Sequence, residues 1–356
     1  MNSHLRRAIG TALAGSLGLM ALAGCGEDSQ SSGGADSKTV TLVSHDSFAV
    51  SKSVLKEFTD KTGYTVRTQT GGDAGSAVNQ AILSKDHPQG DVFFGVDNTL
   101  LSRALDHGLF TPYRAKGLDK VPAALQLDAD RHRVTPVDYG DICVNYDRKY
   151  FADKRLAPPR TFADLTKPAY KNLLVTENAA TSSPGLGFLL GTAARYGDDG
   201  WKGYWKKLRA NGVEVVDGWE QAYFDRFSGG GKGDKPLVVS YASSPPAGVA
   251  DAKTKPAKAP TGVATGTCFR QVEFAGLLNG ASNPKGGKAL LDFLLSKRFQ
   301  ADVPLNMYVN PAREDVKLPE LFTRYGVEIA DPAILSPQKI AKNREPWVKA
   351  WSSLVL

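Results

Sequence analysis

The chain has 356 residues, 42% hydrophobic and 23% charged, with a formal net charge of +7. That length and balance suit a packed globular body of about two domains and exclude a disordered or low-complexity chain. The positive excess is scattered, without a long Lys/Arg run or a basic stripe interleaved with aromatics, which argues against nucleic acid as a partner.

The N-terminus reads as an export signal. Arg6 and Arg7 precede an apolar run from Ala12 to Leu22, and Leu22-Ala23-Gly24-Cys25 has the form of a bacterial lipobox. Residues 1–24 are therefore expected to be removed and Cys25 to carry acyl chains, placing the protein outside the cytoplasm, lipid-anchored to the cell membrane. The alternative is a free secreted protein with a chance Cys at the cleavage site. The apolar run is too short to span a bilayer, and no later stretch has about 18 uninterrupted apolar residues. Residues 25–38, polar and rich in Gly and Ser, predict a flexible tether.

Strand and helix signals then alternate. Thr39 to Val43 is a β-branched strand. The polar loop His45-Asp46-Ser47-Phe48 follows, then a helix on which Val50, Val54, Leu55 and Phe58 recur until Gly63. Tyr64 to Thr68 reads as a second strand. Asp73 suits the N-cap of a helix carrying Ala77, Val78, Ala81 and Ile82. The apolar run from Asp91 to Val96 predicts a third strand, buried on both faces. This order implies a parallel sheet with helices on its faces, with ligands at the carboxyl ends of the strands. Those ends carry His45-Asp46-Ser47, Gly71-Gly72-Asp73 and Asp97-Asn98.

The middle repeats the alternation. Strands are predicted at Asp141–Tyr146, Leu173–Val175, Val213–Val216 and Leu237–Ser240. Helices are predicted from Phe162 to Leu165, Pro184 to Tyr196 and Trp219 to Phe227, with a surface loop from Ser228 to Asp234. Residues 245–266, rich in Pro, Gly, Ala and Lys, predict a second loop. Phe269 to Leu278 reads as a strand and Ala289 to Phe299 as an amphipathic helix, and Trp347 and Trp351 share one side of a last helix. The pattern makes two α/β units, residues 39–140 plus 268–310 and residues 141–267 plus 311–356. They are expected to form two lobes that close on a ligand cleft by a hinge.

Cys143 and Cys268 suggest a disulfide in an oxidising exterior, with two buried free thiols as the alternative. The five histidines (His4, His45, His87, His107 and His132) lack ligand spacing, so no metal site is expected. Gly229 to Lys235 and Gly286-Gly287-Lys288 both miss the phosphate-loop pattern. Asp138 and Asp141, three apart on a strand, point to opposite faces and do not form an acid/base pair.

Six blocks in order resemble the thiamine-binding proteins of bacterial thiamine importers. They are His45-Asp46-Ser47-Phe48-Ala49, Asp91-Val92-Phe93-Phe94-Gly95-Val96-Asp97-Asn98, Val137-Asp138-Tyr139-Gly140, Ser182-Ser183-Pro184-Gly185-Leu186-Gly187, Gly218-Trp219-Glu220-Gln221-Ala222-Tyr223 and Val239-Ser240-Tyr241-Ala242-Ser243-Ser244-Pro245. Phe293-Leu294-Leu295-Ser296 with Phe299-Gln300 is similar to a looser signature of the wider solute-receptor superfamily. The resemblance spans roughly residues 40–351. It implies a type II periplasmic-binding-protein-like α/β fold and a monomeric lipoprotein without catalysis, cofactor or metal. Such a protein captures thiamine, or its phosphates, and delivers it to the permease and ATPase of an ABC importer.

The resemblance also implies ligand contacts at Asp73, Ala74, Ser182, Ser183, Trp219, Tyr241, Ala242, Ser243 and Ser244, with His45, Asp46, Asp97 and Tyr308 as further cleft residues. The chemistry agrees. A thiazolium cation is attracted to the faces of Trp219 and Tyr241, by about 0.5–2 kcal/mol. Asp73, Ser243 and Ser244 offer polar partners to an aminopyrimidine. Ser182 and Ser183, at a helix start, suit a phosphate. Plainer roles exist beside these: core packing for Trp219, helix capping for Asp73 and the serine pair. The chain departs from the family at His45, where an aromatic is common, at Pro245-Pro246-Ala247, at Met307-Tyr308 in place of a Trp, and at Ala180 in place of an Arg. The alternatives are the same fold binding a polyamine, a related pyrimidine or ferric iron, and an exported thiamine-degrading enzyme using a free Cys.

Overall fold

The computed structural model describes residues 37–250 and 252–356. The expected signal peptide, Cys25 and the tether up to residue 36 lie outside the described residues. In chain order the elements are β1 (Thr39–Ser44), α1 (Lys52–Thr62), β2 (Thr65–Thr70), α2 (Ala74–Leu83), β3 (Val92–Asp97), α3 (Leu101–Asp106) and the short β4 (Phe110–Thr111). Next come β5 (Thr135–Asp147), α4 (Arg148–Asp153), β6 (Leu174–Glu177), α5 (Ser183–Ala210), β7 (Glu214–Val216), a π-helical segment (Gln221–Arg226) and β8 (Leu237–Tyr241). The chain ends with β9 (Thr261–Leu278), α6 (Pro284–Leu294), α7 (Lys297–Asn306), the short β10 (Asn310–Pro311), α8 (Glu320–Tyr325) and α9 (Pro337–Val355).

Local chemistry sets most of these ends. Gly63 closes α1 in the left-handed region (φ 73°), with its N–H on Thr59 O, a conformation that costs glycine little. Asp73 caps α2, and Val54 and Phe58 bury the inner side of α1. The helix predicted over 289–299 is two helices. Ser296 accepts a hydrogen bond from Phe299 N and starts α7, so the apolar periodicity runs through a chain reversal. The helix predicted to stop at Tyr196 does break at Gly197 (φ 74°) but continues to Ala210. Its second half carries Trp201 and Trp205, which meet Trp347 and Trp351 of α9 edge-on at 6.4 and 5.4 Å.

The sheet has the order β2-β1-β3-β9-β5-β8-β6-β7, with β4 on β9 and β10 on β5. β2-β1-β3 is parallel, as expected, and so is β8-β6-β7. Between these two groups run β9 and β5, antiparallel to each other and to their neighbours. Both are longer than predicted: β5 begins at Thr135, and β9 takes in Thr261 to Gly266, which the Pro/Gly-rich composition had assigned to a loop. The expected unit boundaries, 140/141 and 267/268, both fall inside this crossing pair. Cys143 and Cys268 are bridged where the register of β5 and β9 jumps from Ile142↔Phe269 to Val144↔Ala264. A crosslink between residues 125 apart contributes roughly 4–5 kcal/mol in the chain-entropy account.

Candidate functional site

Loops from both parallel groups meet over the crossing pair and line a cleft. His45 follows β1, Asp73 and Ala74 follow β2, Ser183 and Pro184 open α5, Trp219 follows β7, and Tyr241 ends β8. The floor is Gln271 and Glu273 of β9, with Met307 and Val309 at the side.

The Trp219 side is held by hydrogen bonds. Trp219 Nε1 donates to Ser240 Oγ at 2.9 Å, which lies 2.9 Å from Ser244 Oγ, and Ser244 Oγ accepts from Tyr241 N. The indole stacks on Tyr223 (5.0 Å, 21° between planes) and meets Tyr241 at 61°. Gly140 leaves room for the Tyr241 ring, since a Cβ there would fall 2.9 Å from it.

Asp73 joins the two sides. Its Oδ1 accepts from Ala74 N (2.6 Å) and Ser183 N (3.3 Å), and its Oδ2 accepts from Trp219 N (2.9 Å). Burial raises its pKa, against the hydrogen bond from Trp219 N and the nearby His45. Both oxygens are thus engaged with backbone. The helix start expected to suit a phosphate already holds an anion, and it is the carboxylate of Asp73. Ser182 caps α5 through Gly185 N, and Ser183 Oγ accepts from Gln271 Nε2.

The opposite wall is acidic. Glu273 pairs in register with Asp97 of β3 on one side and with Asp138 of β5 on the other. Directly paired residues share a face, so three carboxyls stand in one row across three strands, an arrangement that disfavours charge on Asp97 and Asp138. Burial pushes Asp97 up to about 6, against hydrogen bonds from Thr99 and Gln271. Burial and the neighbouring Glu273 and Asp97 drive Asp138 well above the usual carboxylate range. His45 Nε2 lies 3.2 Å from Glu273 Oε1. Burial works against charge on His45, but Glu273, Asp73 and Asp46 outweigh it and raise its pKa.

The residues expected at the site divide into three groups. His45, Asp73, Ala74, Ser183, Trp219 and Tyr241 line the cleft. Asp46 lies at its mouth with Asp73, Asp217, Glu220 and Asp225, and no lysine or arginine among the described residues lines either region. The rest stand back. Ser182 and Ser244 support lining residues, and Asp97 is buried beneath Gln271. Tyr308 stacks on Phe322. Ala242 packs with the disulfide, and it and Ser243 face a separate hollow with Tyr139, Asp141 and Arg270. Asp141 binds Arg270 while Asp138 faces Glu273, so the two aspartates do point to opposite faces. Ser47, Pro184, Gln271, Glu273 and Val309 were not singled out as site residues. The signal for two of them was visible: Gln271 and Glu273, with Arg270, are the polar residues of a predicted strand that is otherwise apolar or glycine.

Residues 88–330 match the family model of the bacterial extracellular solute-binding proteins. The chain belongs to that family. The thiamine-binding periplasmic protein of Salmonella typhimurium is 30% identical over 324 residues, covering 89% of this chain and 93% of the relative. That of Brucella suis is 30% identical over 326 residues, covering 88% and 91%. A solved periplasmic thiamin binding protein superposes with a TM-score of 0.78 at 27% identity, over 89% of this chain and 96% of that one. The resemblance read from the six sequence blocks therefore holds, as does the type II periplasmic-binding-protein architecture. Among the described residues, no helix is long and apolar enough to cross a membrane.

Proposed function

We propose that this solute-binding protein captures thiamine between two lobes and delivers it to an ABC importer, anchored outside the cytoplasm by lipid on Cys25. The carrying observation is a cleft that pairs the aromatic faces of Trp219 and Tyr241 with Glu273 and Asp73, with no lysine or arginine among the described residues that line it. Aromatic faces and carboxylates in a largely desolvated site recognise an organic cation, and the thiazolium is one. The names of the relatives specify which cation. The sequence Leu22-Ala23-Gly24-Cys25 supports the anchor.

The lobes meet through Asp73, whose contacts with Ser183 and Trp219 tie the β2–α2 turn to elements of the other parallel group. β5 and β9, the strands common to both halves, are the natural hinge. The engaged start of α5 and the acidic mouth favour thiamine over its phosphates. We read the protein as a monomeric binding protein that needs no cofactor and performs no catalysis. Thiamine breakdown through a Cys nucleophile finds no free thiol among the described residues, because Cys143 and Cys268 are bridged.

The row of carboxyls also suits a polyamine, so the test sets the two cations against each other. Calorimetric titration with thiamine, its mono- and diphosphate, and spermidine is expected to give saturable one-to-one binding of thiamine, weaker with each added phosphate. Binding of spermidine alone would transfer the site to polyamines.

A further inference from the structure

The cleft lining holds one side chain that can become a cation, His45, and it faces the acidic row. His45 and Glu273 side chains are only 13% and 11% exposed. The ring rests against Phe94 at 5.5 Å, and the backbone at Gly95 (φ 107°) leaves it space that a Cβ would fill. The charged groups that act most strongly on it are acidic: Glu273 from β9, Asp73 from the β2–α2 turn and Asp46 from its own loop. Glu220, after β7, also feels His45. Asp97 and Asp138 flank Glu273. Inside the cleft, the imidazolium is therefore the cation this chain itself can set beside Glu273.

We propose that His45 is an exchangeable counter-cation. Its imidazolium neutralises Glu273 in the free protein, the thiazolium of thiamine takes over that role on binding, and the His45 proton leaves. The inference rests on the thiamine reading above. Two cations beside one carboxylate in a desolvated site repel each other. The thiazolium charge is permanent and the imidazolium charge is not, so the proton goes. One ring N–H bond breaks, its proton passes to the buffer, and a neutral imidazole remains. The sign follows from linkage: the free protein holds this proton more tightly than the complex does, so affinity rises with pH, by at most about tenfold per unit. That rise runs up to the pKa of His45 in the free protein, which the acidic neighbours hold above the ordinary imidazole value, and levels off beyond it. His45 is thus a specificity device as well, because a neutral analogue of thiamine offers nothing to replace the proton.

The test is calorimetric titration of the protein with thiamine near neutral pH in two buffers of different ionisation enthalpy. The dependence of heat on buffer gives the protons exchanged. We expect a substantial fraction of one proton to be released, more at about pH 6 than at about pH 8, and an affinity about five- to tenfold higher at about pH 8 than at about pH 6. In His45→Gln and in His45→Phe, both effects are expected to vanish while thiamine still binds. Buffer-independent heats in the unmodified protein overturn the proposal. Release that persists in either binding variant also overturns it, and assigns the proton to the acidic row. No saturable heat at any pH removes the thiamine reading itself and this inference with it.

Discussion

Trp219 and Glu273 face the same space from differently built walls. Around Trp219, the indole N–H, the Ser240 and Ser244 hydroxyls and both Asp73 oxygens are joined in one network. Around Glu273, three carboxyls share a row, with His45 as the nearby base. The first wall holds its shape by itself. The second leaves a demand for positive charge that, among the described residues lining the cleft, a titratable ring meets. A satisfied network fixes geometry, whereas a row of like charges across paired strands costs stability and marks where a ligand contributes.

The contrast can be broken in order of expected effect. Glu273→Gln removes the charge but keeps the shape. Thiamine affinity is expected to fall about 30- to 100-fold, the size of a lost charge-assisted contact of about 2–3 kcal/mol. An affinity within threefold of the original, by titration calorimetry, would dismiss the acidic wall as the recognition element. Trp219→Ala is expected to weaken binding at least about tenfold with the melting transition nearly in place, through loss of the cation–ring contact; unchanged affinity would take Trp219 out of the site. Ser240→Ala frees the indole N–H and should cost binding only about three- to fivefold, as expected for one neutral hydrogen bond. More mobile Trp219 fluorescence would accompany it.

The smallest effect concerns stability. Asp138 is raised well above its ordinary value, so the native state binds its proton more tightly than the unfolded chain does. Its contribution therefore falls as pH rises from the ordinary carboxylate range towards neutrality. Asp138→Asn should flatten that slope and stabilise the protein by about 1 kcal/mol near neutral pH. Denaturant melts at several pH values that leave the slope unchanged would count against the acidic row as a source of strain.

Much of the cleft was legible because its loops sit at strand ends. His45 after β1 and Asp73 after β2 follow from strand prediction alone, and Trp219 and Tyr241 stand out by chemistry. Other residues were placed beside the cleft rather than in it. Ser244 lies three residues after Tyr241 but reaches back to Ser240, and Ala242 packs with the disulfide, because the chain turns as soon as β8 ends at Tyr241. Residues 245–266 show a different limit. Their composition signals a loop, yet Thr261 to Gly266 form strand because β5 offers a partner, and pairing outweighs local preference.

By itself, the sequence determined the alternation of strand and helix, the caps at Gly63 and Asp73, the two cysteines available for a bridge and the family. These are set by residues close in the chain or by ordered blocks along it. Only the tertiary structure decided that the sheet crosses over through an antiparallel β9–β5 pair, that Asp73 serves Ser183 and Trp219, and that Asp97, Glu273 and Asp138 stand in one row. Those facts depend on register between strands more than a hundred residues apart, and a one-residue slip would turn Glu273 to the other face.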